Sequence, residues 1–283
     1  MKVLILGAGG QLGRDVTAVA QEVNHEVIAL DYRDLDITDR SAVERTIDAQ
    51  RPGAVVNCAA FTQVDDAEEH ECEAMAINAD GAQNVALATA ALKSVVVYPS
   101  SDYVFDGAKN SPYVESDLTN PISAYGRSKL AGEQATIGAN PRHFVVRSSW
   151  LFGIDGRNFV ETMLSLAEEL GEVLVVNDQL GCPTYTRHLA VGIVRLLDTT
   201  EYGIHHMAGG GSCSWYEFAS EIFTRSNRDV QLMAGTSEML TRLAPRPAYS
   251  VLGTEREDAI VLPNWQDGLQ AYLHRRERQQ TAA

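Results

Sequence analysis

The chain has 283 residues and carries 23 Lys and Arg against 38 Asp and Glu, which gives a formal charge of −15. Hydrophobic residues make up 45% of it, a share that is typical of a globular protein with a sizeable core and excludes disorder over most of the length. No apolar run approaches the roughly 20 residues that a transmembrane helix needs. The acidic balance is unlike that of nucleic-acid-binding proteins, which present a cationic face. We therefore expect neither a membrane nor a nucleic acid as partner.

The four cysteines, Cys58, Cys72, Cys182 and Cys213, form neither a C-x-x-C pair nor a metal-ligand spacing. A chain with its own large core does not need disulfides, so we interpret them as free thiols in a reducing cytoplasm. The seven histidines are equally unclustered. The sequence therefore predicts a cytoplasmic protein without a metal site.

Strand and helix patterns alternate through the first two thirds of the chain. Runs of Val, Ile and Ala bounded by Gly and Asn or Asp predict buried strands at 2–6, 25–30, 54–60, 94–100 and 143–148. The amphipathic patterns between them predict helices at 13–23, 40–50, 71–92 and 124–137. Such alternation predicts an α/β fold with a doubly wound parallel sheet.

After about residue 150 the pattern loosens. Helices are predicted at 159–170, 187–197, 215–223 and 265–276, with strands at 173–176 and 204–207. No low-complexity linker is present, so we divide the chain into a large domain at 1–150, extended by later segments, and a smaller α/β lobe at 151–283 packed directly on it. The polar tail from residue 275 is expected to fray.

The first predicted strand runs into a glycine-rich turn, in which Gly7, Gly10 and Gly13 give the spacing G-x-x-G-x-x-G. Such a turn offers a positive φ, a backbone that can touch a pyrophosphate, and a close contact between helix and strand. The free N–H groups that open the next helix, at Gln11 and Leu12, then point at the phosphates. The turn lies between a strand and a helix, which predicts a Rossmann-type domain that binds a dinucleotide.

The second predicted strand ends at Asp31, where a carboxylate can accept hydrogen bonds from an adenosine ribose. This placement favours NADH, whereas Arg33 could instead meet the 2′-phosphate of NADPH. Asp36 and Ile37, after the next turn, are predicted to flank the adenine. The alternative for Asp36 is a solvated loop or helix-capping carboxylate.

Tyr125 and Lys129 are four residues apart, which places a phenol and an ammonium on one face of a helix. A lysine beside a phenol stabilises the phenolate and lowers the pKa of the phenol, as a proton donor near neutral pH requires. Ser101, at the end of a buried strand, supplies a hydroxyl that can donate to a carbonyl oxygen as negative charge develops. The three residues together predict a reductase site beside the dinucleotide.

A series of short motifs extends from the first strand to about residue 265 and covers nearly the whole chain. The motifs are 7–13, 56–62 (VNCAAFT), Asp65, 100–105 (SSDYVF), 125–133 (YGRSKLAGE), 147–150 (RSSW), 177–184 (NDQLGCPT) and 246–252 (RPAYSVL). With them the chain resembles the extended branch of the short-chain dehydrogenase/reductase superfamily, and within it the dTDP-4-dehydrorhamnose reductase family. The resemblance implies NADPH- or NADH-dependent reduction of the C4 keto group of dTDP-4-dehydro-L-rhamnose, giving dTDP-L-rhamnose, and a sugar-nucleotide site in the smaller lobe.

The resemblance also implies a role for each matching position. Tyr125 would be the proton donor, Lys129 its pKa-lowering partner and a ligand of the nicotinamide ribose, and Ser101 the hydroxyl that polarises the C4 carbonyl. The implied cofactor-binding residues are Gly7, Gly10, Gln11, Leu12, Asp31, Asp36, Ile37, Ala60, Phe61, Thr62, Tyr125 and Lys129. The implied substrate-binding residues are Ser101, Asp102, Trp150 and Arg246. For Trp150 the alternative is a core aromatic, and Arg246 is the candidate cation for the sugar nucleotide because of its R-P-x-x-S-x-L setting.

Two departures from the family pattern matter. Members that bind magnesium at a dimer contact use glutamates in the first helix, after the Pro-Thr motif and near the C-terminus. Here those positions hold Asp15, Arg187 and the run 274–276 (HRR). A cation there would face arginine, so we predict no magnesium and leave a monomer and a homodimer open. The second departure, Ser101 in place of a common threonine, keeps the single hydroxyl.

Sister activities are separated by one position. The related dehydratases carry Thr-Asp-Glu where this chain has Ser101, Asp102 and Tyr103, so the glutamate that assists water elimination is missing and reduction is favoured. Two alternatives stay open. One is another nucleotide-sugar reductase or epimerase of the extended branch, and the other is a non-catalytic NADP-binding regulatory subunit similar to the β subunit of methionine adenosyltransferase.

Overall fold

The computed structural model describes residues 1–282. Within them the strands are β1 (Lys2–Leu6), β2 (Glu26–Leu30), β3 (Ala54–Asn57), β4 (Val95–Ser101), β5 (His143–Ser148), β6 (Leu151–Phe152), β7 (Glu172–Val176), β8 (Leu180–Gly181), β9 (Thr184–Tyr185), β10 (Gly203–His206), β11 (Cys213–Ser214) and β12 (Gln231–Gly235). The α-helices are α1 (Gln11–Glu22), α2 (Arg40–Gln50), α3 (Asp66–Glu69), α4 (Glu71–Met75), α5 (Ala82–Ala91), α6 (Ala124–Ala139), α7 (Phe159–Glu169), α8 (Thr186–Leu196), α9 (Trp215–Arg225) and α10 (Trp265–Ala282). None of these helices has the length and apolar character that spanning a membrane demands.

Six of the described strands form one parallel sheet in the order β2-β1-β3-β4-β5-β10. The strand order reverses between β1 and β3, and ligands of such sheets bind in the crevice that opens at the carboxyl ends of the strands there. This arrangement confirms the predicted α/β fold with a Rossmann-type doubly wound sheet. Strand β10 comes from the second half of the chain and completes the sheet beside β5.

Alternate residues of β1 show why helices cover both faces of this sheet. Val3 packs on one face with Val16 of α1 and Ile193 of α8, whereas Leu4 packs on the other face with Ile47 of α2. Successive side chains of a strand point to opposite faces. A strand that is covered twice must therefore be apolar at every position, as the sequence of β1 is.

The smaller lobe is built around the parallel pair β7 and β12. Its apolar core includes Phe152, Phe218 and Tyr272, which are fully buried. Strand β12 was missing from the predicted elements because its residues, QLMAG, show neither β-branched composition nor a regular alternation. Strands and helices thus alternate around this second core, and β12 joins it by pairing with β7.

Two predicted segments differ in the structure. The single helix expected at 71–92 is divided by a π-helical turn at Ala76–Gly81, a feature that is frequent at functional sites. The tail that was expected to fray from residue 275 instead continues α10 to Ala282. It stays helical because ion pairs with α1 and α7 hold it.

Helix α10 is joined to α1 through a buried carboxylate. Asp15 is 2% exposed and accepts hydrogen bonds of 2.6 Å from Arg275 Nη1 and 2.6 Å from Thr186 Oγ1. Arg187 pairs with Glu22 at the other end of α1. Asp15, the position of α1 at which the family pattern raised the question of a metal, is therefore paired with an arginine.

We expect Arg275→Ala to lower the free energy of unfolding by roughly 2–4 kcal/mol, because the buried Asp15 carboxylate would lose its charged partner. Urea denaturation measures this change. Arg278→Ala, at an exposed position of the same helix, is the matched control and should change stability by less than about 0.5 kcal/mol. Equal stability of the two variants would contradict the role of this ion pair.

Candidate active site

The glycine-rich turn joins β1 to α1 at the carboxyl edge of the sheet. Gly7 has a φ of +67°, which favours glycine, and a side chain there would collide with the backbone of Ala59. Gly10 caps α1 without a side-chain hydrogen bond, and the amides of Gln11 and Leu12 have no partner within the helix. The turn therefore has the geometry that binds a pyrophosphate.

The residues predicted to meet the adenosine lie around the end of β2. The Asp31 carboxylate lies against the turn, where a side chain at Gly9 would collide with it. Asp36 instead caps its own loop, because its Oδ1 accepts hydrogen bonds of 2.9 Å and 2.7 Å from the amide and hydroxyl of Thr38. Ile37 is buried in the core that also contains Leu4 and Ile47. Asp31 thus presents its side chain to the turn, whereas the carboxylate of Asp36 is held within its own loop by Thr38.

Ala60, Phe61 and Thr62 follow β3 at the same edge of the sheet. Phe61 donates its N–H to Asn78 Oδ1 at 2.9 Å, and its carbonyl accepts from Asn78 Nδ2 at 3.0 Å. Asn78 lies in the π-helical turn, and its Nδ2 also donates to Ser128 Oγ of α6 at 2.9 Å. One amide side chain therefore ties the loop after β3 to helix α6.

The three predicted catalytic residues come together at the end of β4. Ser101 is its last residue, and Tyr125 and Lys129 lie on α6. Burial raises the pKa of Tyr125 to about 12, although the neighbouring Ser101 hydroxyl lowers it in part. The phenol is therefore protonated at neutral pH and available as a proton donor.

The ammonium group of Lys129 is turned toward β4. It donates to the Pro99 carbonyl at 2.8 Å and lies 4.1 Å from the centroid of the Tyr98 ring, which is a cation–π contact. Burial lowers the pKa of Lys129 to about 7, against the opposing effect of Glu133. The expectation that Lys129 lowers the pKa of Tyr125 does not hold in this structure, because the ammonium contacts other groups and burial dominates at the phenol.

A close backbone contact and a buried ion pair fix α6 against the sheet. A side chain at Gly132 would collide with the carbonyl oxygen of Asn78 and the phenol of Tyr98. Glu133, the next residue, pairs with Arg147 of β5 through hydrogen bonds of 2.9 Å and 2.8 Å, and both side chains are almost wholly buried. These contacts set the depth and the rotation of the helix that carries the phenol and the ammonium.

Trp150 is half-buried and lies outside the apolar core clusters. Its indole stacks on that of Trp215 at 3.5 Å with 5° between the planes, and it contacts Gly181, where a side chain would collide with the ring. The φ of Trp150 is +48°, a conformation that non-glycine residues seldom adopt and that concentrates at functional sites. Trp150 is therefore not the core aromatic of the alternative interpretation. The sequence analysis did not identify Trp215 as a neighbour of this site, because a helical pattern does not show which aromatic ring a residue stacks on.

A cavity of about 260 Å³ opens in the smaller lobe, and Arg242 and Arg246 are both in its lining. Tyr103 connects it to the catalytic residues. The Tyr103 ring contacts that of Tyr125 edge to face, at 5.6 Å and 77°, and its phenol lies beside the guanidinium of Arg246. Tyr103 therefore lies between the catalytic phenol and an arginine of the cavity wall.

The charge of Arg246 is already neutralised by Asp65. Two hydrogen bonds of 2.9 Å and 2.7 Å join the guanidinium to the carboxylate, and they hold the pKa of Asp65 at about 2. Arg242, by contrast, has no carboxylate partner within residues 1–282. Its pKa is lowered by partial burial and by the neighbouring charge of Arg246. The sequence singled out Arg246 and missed Arg242, which no motif marks.

The chain matches the family model described as the RmlD substrate binding domain over residues 1–278. The chain belongs to this family. It is 41% identical over 277 residues to the spore coat polysaccharide biosynthesis protein SpsK of Bacillus subtilis, covering 97% of this chain and 98% of that one. It is 40% identical over 252 residues to the dTDP-4-keto-6-deoxy-D-glucose reductase of Streptomyces niveus, covering 88% of each.

Two solved structures share both fold and sequence with the chain. A dTDP-4-dehydrorhamnose reductase from Clostridium acetobutylicum is 42% identical, with a TM-score of 0.96 over 98% of this chain and 100% of that one. A dTDP-4-dehydrorhamnose reductase from Bacillus anthracis, solved in complex with NADP, is 39% identical, with a TM-score of 0.94 over 97% and 99%. These similarities confirm the resemblance on which the sequence interpretation rests.

We expect Gly132→Ala to displace α6 and to lower the free energy of unfolding by roughly 1–3 kcal/mol, because the added methyl group has no room. Gly138→Ala on the same helix is the control. Nothing lies within 4 Å of the carbon added there, so helix propensity should raise stability by about 0.5 kcal/mol. Thermal unfolding measures both, and a Gly132→Ala protein as stable as the control would show that the close contact does not constrain the helix.

Proposed function

We propose that the protein is an NAD(P)H-dependent oxidoreductase that reduces the C4 keto group of dTDP-4-dehydro-L-rhamnose to give dTDP-L-rhamnose. The observation that carries the proposal is the meeting of Ser101, Tyr125 and Lys129 at the carboxyl edge of the sheet, beside the glycine-rich turn. The solved relatives support it, since both are named dTDP-4-dehydrorhamnose reductases and one holds NADP. A non-catalytic regulatory subunit would need none of the three groups.

The proposed cofactor site extends along the edge of the sheet from the turn. Gly7, Gly10 and the amides of Gln11 and Leu12 hold the pyrophosphate, and Asp31 holds the adenosine ribose. The further proposed contacts are Asp36, Ile37, Ala60, Phe61, Thr62, Tyr125 and Lys129. The exposed guanidinium of Arg33, 5.6 Å from the centroid of the Tyr32 ring, can receive a 2′-phosphate, so the site fits both NADH and NADPH.

The reaction needs a hydride and a proton. The reduced nicotinamide, when bound, supplies the hydride that adds to C4 of the sugar. Ser101 donates a hydrogen bond to the C4 carbonyl oxygen, where negative charge develops. Tyr125 gives its phenolic proton to that oxygen, and because a phenol is more acidic than the alcohol that forms, the transfer is favourable. Lys129, whose ammonium contacts the Pro99 carbonyl and the Tyr98 ring, would hold the nicotinamide ribose beside these groups.

The sugar nucleotide occupies the cleft between these residues and the cavity. Ser101, Asp102 and Trp150 face the sugar, and the cavity receives the nucleotide part. Asp65 already neutralises Arg246, so Arg242 is the cation whose charge is available to the diphosphate, and Arg246 shapes the wall beside it. The single cation predicted from the sequence is thus replaced by a pair of arginines with different roles.

Reduction of a different dTDP-4-ketosugar is the second candidate. The Streptomyces niveus relative, whose name gives dTDP-4-keto-6-deoxy-D-glucose as its substrate, is about as similar to the chain as the two solved structures are. We further propose that the protein acts in the cytoplasm as a monomer or a homodimer, without a metal ion and without a nucleic-acid partner.

The purified protein is assayed with dTDP-4-dehydro-L-rhamnose, generated from dTDP-glucose by the upstream dehydratase and epimerase. Loss of NADH or NADPH absorbance with formation of dTDP-L-rhamnose is the expected result. Failure to consume either cofactor with this ketosugar would refute the proposal. A higher kcat/KM with dTDP-4-keto-6-deoxy-D-glucose would favour the second candidate.

Tyr125→Phe should lower kcat by about 10²–10⁴-fold, because it removes the proton donor and keeps the ring. The Kd of NADPH, measured by fluorescence titration, should be nearly unchanged. Tyr202→Phe, which removes a phenol remote from the cleft, is the control and should keep wild-type turnover. Near-normal kcat in Tyr125→Phe would mean that another group donates the proton.

Arg242→Ala should raise the KM of the dTDP-sugar about tenfold, as the loss of one charge-assisted hydrogen bond predicts, and should leave kcat and the KM of NADPH within about twofold. Arg45→Ala, at an exposed position of α2, controls for the change in net charge. If Arg242→Ala and Arg45→Ala give the same KM, the diphosphate is bound elsewhere.

A further inference from the structure

The carboxyl group of Asp102 is buried directly after β4 without a cation to neutralise it. Asp102 is 1% exposed. Its Oδ1 lies 3.0 Å from Ser101 Oγ, and its Oδ2 has no hydrogen-bond partner. Burying an ionised carboxylate that lacks a partner is costly, and such a group binds a proton instead. The structure therefore favours the neutral carboxylic acid at this position.

The hydroxyl of Ser101 has one hydrogen to distribute among several neighbours. Its oxygen accepts the N–H of Tyr103 at 3.2 Å and lies 3.0 Å from Asp102 Oδ1. A hydroxyl has one donor and two acceptor sites. An ionised Asp102 can only accept, so it would take the Ser101 hydrogen. A protonated Asp102 can donate to Ser101 Oγ, which leaves the Ser101 hydrogen for another acceptor.

We propose that the protonated carboxyl group of Asp102 donates a hydrogen bond to Ser101 Oγ and thereby directs the Ser101 hydroxyl to the ketone oxygen of the substrate. Asp102 is then a positioning residue that acts through Ser101, in addition to bordering the sugar. The inference rests on the proposed function, because the ketone is the acceptor that Ser101 serves. No covalent bond changes at Asp102 during the reaction.

The groups that face Asp102 are all uncharged at neutral pH. Tyr103 follows it on the same turn, Tyr125 faces it from α6, and Cys182 approaches from the segment after β8, and burial raises the pKa of each of the three. Ser250 adds only a hydroxyl. Burial raises the pKa of Asp102 to about 7, although the neighbouring hydroxyls favour its ionised form. The surroundings thus agree with the hydrogen-bond geometry.

A donor that works only when protonated sets the direction of the pH dependence. The kcat/KM of the wild-type protein should be constant below about pH 7 and fall about tenfold per pH unit above it, as Asp102 loses its proton. Lys129, whose pKa burial lowers to about 7, would give a decline in the same range. A variant is needed to distinguish the two groups.

Asp102→Asn makes this distinction, because an amide can donate to Ser101 Oγ at every pH. We expect it to keep at least about a tenth of the wild-type kcat/KM at pH 6.5 and to show no decline between about pH 7 and 9. Asp102→Ala offers no donor and should be about a hundredfold less active than the wild type at pH 6.5. Asp106→Asn is the control, since backbone and side-chain hydrogen bonds lower the pKa of Asp106 and the wild-type profile should persist.

Two kinetic results would overturn the proposal. The first is a kcat/KM of Asp102→Asn that declines at the same pH as that of the wild type, which would assign the titration to another group such as Lys129. The second is an Asp102→Asn protein that is folded and no more active than Asp102→Ala, which would show that donation to Ser101 is not what Asp102 provides.

Stability gives a readout that does not depend on the substrate. A carboxyl group whose pKa is higher in the folded protein than in the unfolded one contributes stability that is fully present below the unfolded value and is lost as pH rises to the folded value. Between about pH 4.5 and 7, the unfolding equilibrium constant of the wild type should therefore rise about tenfold per pH unit relative to that of Asp102→Asn, and above about pH 8 their ratio should be constant. Urea denaturation between about pH 4.5 and 8.5 measures it. Parallel profiles would overturn the protonated Asp102, whereas a wild-type protein that is inactive on the ketosugar at every pH would count against the proposed function.

Discussion

The buried ion pair of Glu133 and Arg147 is the contact on which the catalytic end of the molecule depends. Glu133 also accepts a hydrogen bond of 2.6 Å from Ser100, so one carboxylate joins α6, β4 and β5. A buried charge that loses its partner lowers stability by several kcal/mol. None of the three elements can therefore shift without the other two. Ser101 follows Ser100 along β4, and Tyr125 precedes Glu133 by roughly two helical turns. The buried ion pair of Glu133 and Arg147 therefore fixes the distance between the Ser101 hydroxyl and the Tyr125 phenol.

Each proposed anion site attracts phosphate through groups close to it, despite the negative net charge of the protein. A net charge of −15 opposes the approach of both a dinucleotide and a sugar nucleotide. At the turn, the N–H groups of α1 attract phosphate without any formal charge. At the cavity, Asp65 neutralises Arg246 and leaves Arg242 without a carboxylate partner in the described chain. The acidic excess then belongs to the outer surface, where it favours solubility.

The sheet, the glycine-rich turn and the group of Ser101, Tyr125 and Lys129 could be predicted because each follows from a local pattern. Strand composition, glycine spacing and a helical spacing of four are all visible within a few residues. The contacts that could not be predicted join distant parts of the chain. Arg246 meets a carboxylate 181 positions away, and the π-helical turn and strand β12 depend on neighbours that no motif names. The direction of the pKa shift at the phenol follows from burial, which is also a property of the whole fold.

Late segments of the chain complete the structure around its first helix. Strand β10 is the edge of the large sheet, and Arg275 of α10 neutralises the buried Asp15 of α1. A ribosome delivers the chain from its N-terminus, so Asp15 stays without its ionic partner until a residue 260 positions further along has been synthesised. Until β10 is synthesised, β5 presents an unpaired strand edge, which is a site for aggregation. The large sheet and its first helix therefore cannot reach their final packing while only the first half of the chain has left the ribosome.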